Sequence, residues 1–407
     1  MIKISDYKIC IIGLGNVGLD LALNFSKKFN TIGFDINKKL IEKIKIEKKI
    51  CKTHENKLEI SSNHKLIDSC DVYIITVPTP VNKRKKPNLD CIIKVTKLVS
   101  KYLSKNNIVI YESTFYPGLT EEICIPIIEK ASKFKLNKGF FVGYSPERIN
   151  IGDNEKLTSD VIKITSGSNQ KAAKIIDSLY RTVIKSGTLS VKSIKIAEAV
   201  KMVENCQRDL NIAFMNEISK FFKKINIDTK AVIKAASTKW NFAEYYPGLV
   251  GGDCIAVDPY YLLHNAKKNN HELKLIGLSR KINEEMINYI YHEIIKKFSN
   301  LKIFKLAFFG ISYKENCNQI NNSMYLKIAK MLKKSYVVDI YDYQVKKNNN
   351  ELCLMSSEKY HSTSYDAVII GTKHKKYEKM RFDKNLNKAS IIIDIHGINA
   401  YSKNVIL

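Results

Sequence analysis

Short β-branched apolar runs alternate with helical apolar spacing along the first part of the chain. KICII at Lys8–Ile12 predicts a strand, the apolar positions from Leu19 to Phe29 predict a helix, and TIGF at Thr31–Phe34 predicts a second strand ending at Asp35. DVYIITV at Asp71–Val77 reads as a buried strand stopped by Pro78-Thr79-Pro80; Ile108–Tyr111 and Phe140–Val142 read as two more. A helix is expected to begin near Thr120. The period then changes. From about Ser193 to Asn226 apolar residues recur at helical spacing with no glycine or proline, which predicts one long amphipathic helix. A shorter helix follows at Thr229–Ala236, and helical spacing continues through Asn283 and Glu284 towards Phe298. From Lys305 the α/β rhythm returns, with LAFFG, YVVDIYD, YDAVIIGT and SIIIDIHG as strands.

Between the first strand and its helix lies GLGNVG, and Asp35 follows 22 residues after Gly13. Strand, glycine turn, helix, strand and acid in this order form a dinucleotide site. Gly13 makes the tight turn, Gly15 admits the pyrophosphate and Gly18 allows close helix–strand packing. The N–H groups at the start of the helix, around Asn16 and Val17, hold the phosphates. Asp35 suits the ribose hydroxyls and repels a 2′-phosphate, so NAD is expected rather than NADP. Pro78-Thr79-Pro80, at the end of the strand that starts at Asp71, would line the cofactor's far side, with a simple loop as the alternative for Pro80. The expected fold class is α/β: two Rossmann-like doubly wound domains joined by a long central helix and a helical dimerisation segment. The expected boundaries are 1–192, 193–300 and 301–407. A long helix must bury its apolar stripe, and a second copy is the expected partner, giving a homodimer. The second doubly wound domain lacks GxGxxG, so its crevice is expected to take a different nucleotide.

Composition narrows the partners. Of 407 residues, 45% are hydrophobic and 26% charged, an ordinary soluble globular balance. The net charge of +27 invites a nucleic-acid reading, but the lysines are spread along the chain with no basic arm or RNA-binding signature. No nucleic-acid partner is expected; a diffuse basic field also attracts a nucleotide diphosphate. The 9 cysteines include no CxxC pair and no histidine pair has metal-ligand spacing, so neither a disulfide framework nor a metal is expected. The start shows no leader pattern and no apolar run approaches the roughly 18 residues of a membrane span. A cytoplasmic protein with no membrane partner is expected.

The candidate chemistry centres on GLVGGDCIAVDPYYL, Gly248–Leu262. Gly251 and Gly252 let a substrate approach the main chain, Cys254 presents a thiol, and Asp258 lies four residues on to handle protons. The same residues also read as a glycine turn before an inert buried cysteine. Thr114, after the strand at Ile108–Tyr111, positions water or the nicotinamide carboxamide, or merely supports a turn. Glu147 is a candidate base at a strand's carboxyl end, or half of a surface pair with Arg148. Lys201 and Asn205 are four apart, on one helix face, with Arg208 and Asp209 a turn later; alternating charge also suits a solvent-facing helix. Lys314 reads as a phosphate or sugar contact or a solvated loop lysine.

Taken in order, GLGNVG, VPTP, YESTFYPGLTEE, YSPERIN, AEAVKMVENCQRDLNIAFMNE, TKWNF, PGLVGGDCIAVDPYYL and ISYKENC resemble the UDP-glucose/GDP-mannose dehydrogenase family over nearly the whole chain. TKWNF, VDPYYL and ENCQRDLN look most like the UDP-N-acetyl-hexosamine 6-dehydrogenases of Vi-type surface polysaccharide synthesis. The resemblance implies an NAD domain, a dimerisation segment and a C-terminal domain that binds a UDP-sugar. It implies four-electron oxidation of the C6 alcohol of UDP-GlcNAc or UDP-GalNAc to the uronic acid. The alternatives are a UDP-glucose or GDP-mannose 6-dehydrogenase, or a low-activity nucleotide-sugar-binding paralogue. By position, Cys254 carries a thiohemiacetal and then a thioester, Lys201 and Asn205 stabilise oxyanions, and Asp258 assists proton transfer. Thr114 and Glu147 handle the hydrolytic water. Glu147, Arg148, Lys201, Asn205, Arg208, Gly251 and Lys314 contact the substrate, while Gly13, Gly15, Asn16, Val17, Gly18, Asp35, Pro78, Thr79 and Thr114 hold NAD. Four positions depart from the pattern. Asp253 stands where the subgroup usually has histidine, and a carboxylate facing the sulfur would raise the thiol's pKa. Gln319 and Asn321 replace an aspartate and an arginine, and Ile151 replaces a proline. Cys254, Lys201, Asn205, Asp258 and Glu147 all remain, so activity is expected.

Overall fold

The computed structural model describes residues 6–47, 57–148, 160–299, 301–345, 354–355, 360–383 and 386–407, with the backbone alone at 387–390. Ile151 lies outside the described residues. The chain divides into two compact units, Met1–Glu204 with Tyr260–His271, and Asn205–Pro259 with Glu272–Leu407.

The first unit is built on an eight-stranded sheet: β1 (Lys8–Ile12), β2 (Asn30–Phe34), β3 (Leu58–Ser61), β4 (Val72–Ile75), β5 (Asn107–Tyr111), β6 (Phe140–Tyr144), β7 (Lys163–Gly167) and β8 (Thr188–Ser190). Their spatial order is β3-β2-β1-β4-β5-β6-β7-β8, parallel except where β6 meets β7. Buried on both faces, β4 and β5 need no alternation, and their continuous apolar runs fit that position. The order reverses between β2 and β4 on either side of β1, which opens a crevice at the carboxyl ends of β1 and β4. The helix after β1 runs Asn16–Ser26 and so begins before its apolar spacing does, because Asn16 is exposed and contributes nothing to the stripe. The helix expected near Thr120 opens on a single π turn, Thr120–Cys124, and continues as Ile125–Ser132.

In the second unit β9 (Lys305–Phe309), β10 (Val337–Tyr341), β11 (Tyr365–Ile370), β12 (Leu386–Asp394) and β13 (Asn404–Val405) form a parallel sheet ordered β10-β9-β11-β12-β13. β13 has two residues, too few to leave a pattern. Met286, Ile290, Ile294 and Phe298, one face of the helix Lys274–Phe298, are buried with Leu306, Phe308 and Ile393 of the sheet. The long helix spans Ile194–Lys224, and Thr229–Ala236 follows with Asp228 accepting the N–H groups of Lys230 and Ala231.

Candidate active site

The three glycines of the first turn differ in what surrounds them. Gly13 has φ +96°, a left-handed conformation open to glycine. A Cβ on Gly18 would stand 1.9 Å from the Gly13 carbonyl oxygen, so only glycine lets the helix pass that close. A Cβ on Gly15 would meet nothing within 4 Å, which leaves open space beside the helix start. The residue at the N-cap of that helix is Gly15, which has no side chain to cap it. Across the crevice Thr76 donates its hydroxyl to the Gly13 carbonyl (2.7 Å). Asp35 accepts the Leu14 N–H through one oxygen and the Asn37 N–H through the other, both at 2.8 Å, which fixes the acid beside the turn. The Thr79 carbonyl, just past Pro78, accepts the Tyr261 hydroxyl (2.9 Å). An open, uncapped helix start beside a fixed acid fits the diphosphate and ribose of NAD.

The ends of β5 and β6 are tied together by buried charge. Glu112 and Lys163 form an ion pair at 2.6 Å with both side chains nearly inaccessible, and the Tyr180 hydroxyl donates to the other Glu112 oxygen. Lys163 also donates to the Pro146 carbonyl (3.1 Å), and the Tyr144 hydroxyl donates to the Ser113 carbonyl (3.0 Å). Thr114 and Glu147 therefore extend from strand ends whose preceding residues are pinned. Glu147 is buried, and Lys201 meets it twice, at the carbonyl (3.0 Å) and the carboxylate (3.3 Å). Arg148 turns away to Glu204 (3.2 Å) and to the Ile162 carbonyl (2.7 Å). The pattern of a surface Glu147–Arg148 pair is not what forms. Neither is the Lys201 face solvent-facing, because Lys201 and Asp209 are both buried. Lys163 left no signal in the sequence, since a single lysine at a strand start is indistinguishable from a solvated one.

In the second unit Asn205 donates its side-chain N–H to Asp258 at 2.5 Å. Asp258 is fully buried at the first position of the helix Asp258–Lys268. The Cys254 carbonyl accepts the N–H groups of Val257 and Asp258, each at 2.9 Å, so the cysteine closes the turn that starts this helix. Cys254 is half-buried. Its neighbour in kind, Cys206, is buried, and burial, then Asp258 and Asp209, push that thiol up to about 12. A thiol that keeps its proton in this way is inert at neutral pH, so Cys206 is not a competing nucleophile beside Asp258. Upstream, Asn216 exchanges two hydrogen bonds with Gly248 (2.8 and 3.0 Å) and fixes the entry to the segment.

The close approach at Gly251 and Gly252 is made by the protein itself. A Cβ on Gly251 would lie 2.7 Å from the Asn322 carbonyl oxygen, and one on Gly252, at φ +80°, 2.7 Å from the Tyr313 ring. Asp253 accepts from the side-chain amides of Asn322 (2.7 Å) and Asn321 (3.4 Å), so its carboxylate is engaged with that loop. Two of the departures noted in the sequence, Asp253 and Asn321, thus meet each other. Lys314 is half-buried in the same loop, its carbonyl accepting the Ser312 hydroxyl (2.9 Å), and Arg208 is exposed. Asp209 pairs with Arg280 (2.6 Å) and Asn283 (2.7 Å), and burial raises its carboxyl despite the guanidinium. Among the described residues no cluster of His, Cys, Asp and Glu could hold a metal ion, and no helix is long and apolar enough to cross a membrane.

Three models of the UDP-glucose/GDP-mannose dehydrogenase family match the chain in order: the NAD binding domain at residues 7–184, the central domain at 195–285 and the UDP binding domain at 307–401. A UDP-N-acetyl-D-glucosamine 6-dehydrogenase of Salmonella typhi is 43% identical over 394 residues, 93% of each chain. One of Pseudomonas aeruginosa is 40% identical over 405 residues, 96% of each. Among solved structures, a UDP-D-ManNAc dehydrogenase from Pyrococcus horikoshii superimposes with a TM-score of 0.85 at 27% identity, covering 98% of this chain and 99% of its own.

Proposed function

We infer the chemistry from one premise: the chain belongs to the UDP-glucose/GDP-mannose dehydrogenase family. It is an NAD-dependent nucleotide-sugar 6-dehydrogenase. The substrate is a UDP-N-acetyl-hexosamine, UDP-GlcNAc or UDP-GalNAc, a reading supported by the relatives at 40% identity and above. Residues 1–192 hold the cofactor, 193–300 carry the thiol and the dimerisation helix, and 301–407 hold the UDP-sugar. NAD, bound at the Gly13–Gly18 turn, supplies the acceptor for two electrons in each of two oxidations at C6. Between them the Cys254 sulfur adds to the C6 aldehyde as the carbonyl π bond breaks and the thiol proton passes to the C6 oxygen, giving a thiohemiacetal whose oxidation makes a thioester. Lys201 and Asn205 stabilise negative charge on the C6 oxygen, and Asp258 moves the proton. Water held by Thr114 and Glu147 then attacks the thioester, breaks the C–S bond and releases the uronate, with the sulfur regaining its proton. One alcohol, two NAD and one water are consumed.

The observation that carries this reading is the Asn205–Asp258 hydrogen bond at the first residue of the helix whose starting turn is closed by Cys254. The seven free cysteines described suit a reducing compartment, and the enzyme is taken to be cytoplasmic. On the long helix Ile196, Val203, Phe214 and Phe221 are exposed and fall on one face by their spacing. That stripe, roughly 40 Å long at the helical rise, is the surface for a second copy in a homodimer. The test is NADH formation against a panel of UDP- and GDP-sugars with product mass measured. Two NADH per uronate from a UDP-N-acetyl-hexosamine are expected; no NADH from that class would refute the reading.

A further inference from the structure

Glu198 is one of the buried carboxylates that the mechanism above leaves unused. It lies on the long helix, three residues before Lys201, with no solvent exposure. Its oxygens accept the N–H of Gly118 (2.6 Å), the N–H of Thr120 (3.0 Å) and the Thr120 hydroxyl (2.6 Å). Gly118 has φ +99°, the left-handed conformation that lets two nearby N–H groups face one anion. The helix start that follows is the π turn Thr120–Cys124, a local widening often found beside functional sites. Glu121 stands near the carboxyl and is itself paired with Lys195 (3.1 Å).

Thr114 sits between two anchors. Upstream, Ser113 donates to the Val77 carbonyl (2.6 Å) and accepts at its own carbonyl from Tyr144 (3.0 Å). Phe115 is buried between Tyr111 and Tyr144. Downstream, Asn265 holds the Pro117 carbonyl (2.8 Å) and Glu198 holds Gly118 and Thr120. A fully buried carboxyl group with three donors is costly to build and sensitive to loss of any partner. We propose that Glu198 is a positioning residue: it fixes the Thr114–Thr120 segment to the helix that carries Lys201, and so sets where Thr114 holds the hydrolytic water. The proposal rests on the role given above to Thr114.

The test uses the full chain, with Glu198→Gln, Thr120→Val and Thr120→Ser, each first shown by thermal melting to fold. NADH formation from the best UDP-sugar is measured, and quenched enzyme is weighed for an acyl adduct on Cys254. A misplaced water should slow thioester hydrolysis, so kcat should fall by about 10- to 100-fold in Glu198→Gln with KM for the sugar nucleotide within about twofold. The Cys254 adduct should accumulate. Thr120→Val should follow in the same direction, and Thr120→Ser, which keeps the hydroxyl donor, should stay near the parent enzyme. Unchanged kcat in folded Glu198→Gln, a loss carried by KM, or no adduct would each overturn the proposal. Failure of the parent enzyme to make NADH from any nucleotide sugar would instead bring down the functional reading, and the proposal with it.

Discussion

The pH dependence of stability offers a quantitative check on how Glu198 is buried. Desolvation drives its carboxyl from the ordinary 4.5 up to about 7, against the opposing pull of the Thr120 hydroxyl and the two backbone N–H groups. A carboxyl with a raised folded pKa keeps its proton longer in the folded chain than in the unfolded one. Between the two values the folded state binds more protons, so stability falls as pH rises. The contribution is fully present below 4.5 and is lost as pH climbs through about 7. A gap of that size amounts to roughly 3 kcal/mol. Urea unfolding of the parent chain and Glu198→Gln, followed from about pH 5 to about pH 8, reads it directly. Glutamine does not titrate, and its weaker hydrogen bonds shift the whole curve without changing its slope. The parent should lose about 2 to 3 kcal/mol relative to the variant across that interval. Parallel curves would show that the carboxyl is not held protonated by its surroundings.

Other consequences are equally direct. Gly18→Ala places a methyl 1.9 Å from the Gly13 carbonyl and should cost at least about 1–3 kcal/mol, whereas Gly15→Ala enters open space and should leave the melting temperature alone while weakening NAD binding. Equal melting temperatures for the two would contradict the different roles assigned to these glycines. Lys163→Met leaves the Glu112 carboxylate unpaired in the core and should destabilise by about 3–5 kcal/mol in urea unfolding; a loss near zero would mean that the pair is not structural. Phe214→Glu with Phe221→Glu puts charge on the exposed helix stripe, and light scattering should report a dimer for the parent and a monomer for the variant; equal masses would count against the proposed homodimer surface. Cys254→Ser should abolish turnover, and undiminished uronate formation by that variant would remove the thiol from the mechanism.

The backbone plan was legible because its signals are local. KICII, TIGF and the apolar run after Asp71 became β1, β2 and β4, and the glycine-free stretch from Ser193 became the helix Ile194–Lys224. Each is a run whose period is set by the element it forms. The glycine turn was legible for the same reason, since Gly13, Gly15 and Gly18 stand within six residues, and Gly13 and Gly18 each answer a separate steric demand. The two-residue β13 was not, and neither was the π turn at Thr120, because a single widened turn changes no hydrophobic spacing.

Buried charge is where local reading stops. Glu112 finds Lys163 across 51 residues, Glu147 finds Lys201 across 54, and Asp209 finds Arg280 across 71. Along the chain nothing marks these partners for one another, and the alternation of sign around Lys201 even favours a solvent-facing helix. What distinguishes them is that the partner arrives from another element, and pairing is the condition under which a charge can be removed from water at all. Glu198 differs from these pairs: it is a buried carboxyl whose partners are two backbone N–H groups and a hydroxyl rather than a cation. Backbone donors have no letter in a sequence. A residue such as Thr114 can therefore be named from its place after a strand, while the group that holds its segment still emerges only once the chain is folded.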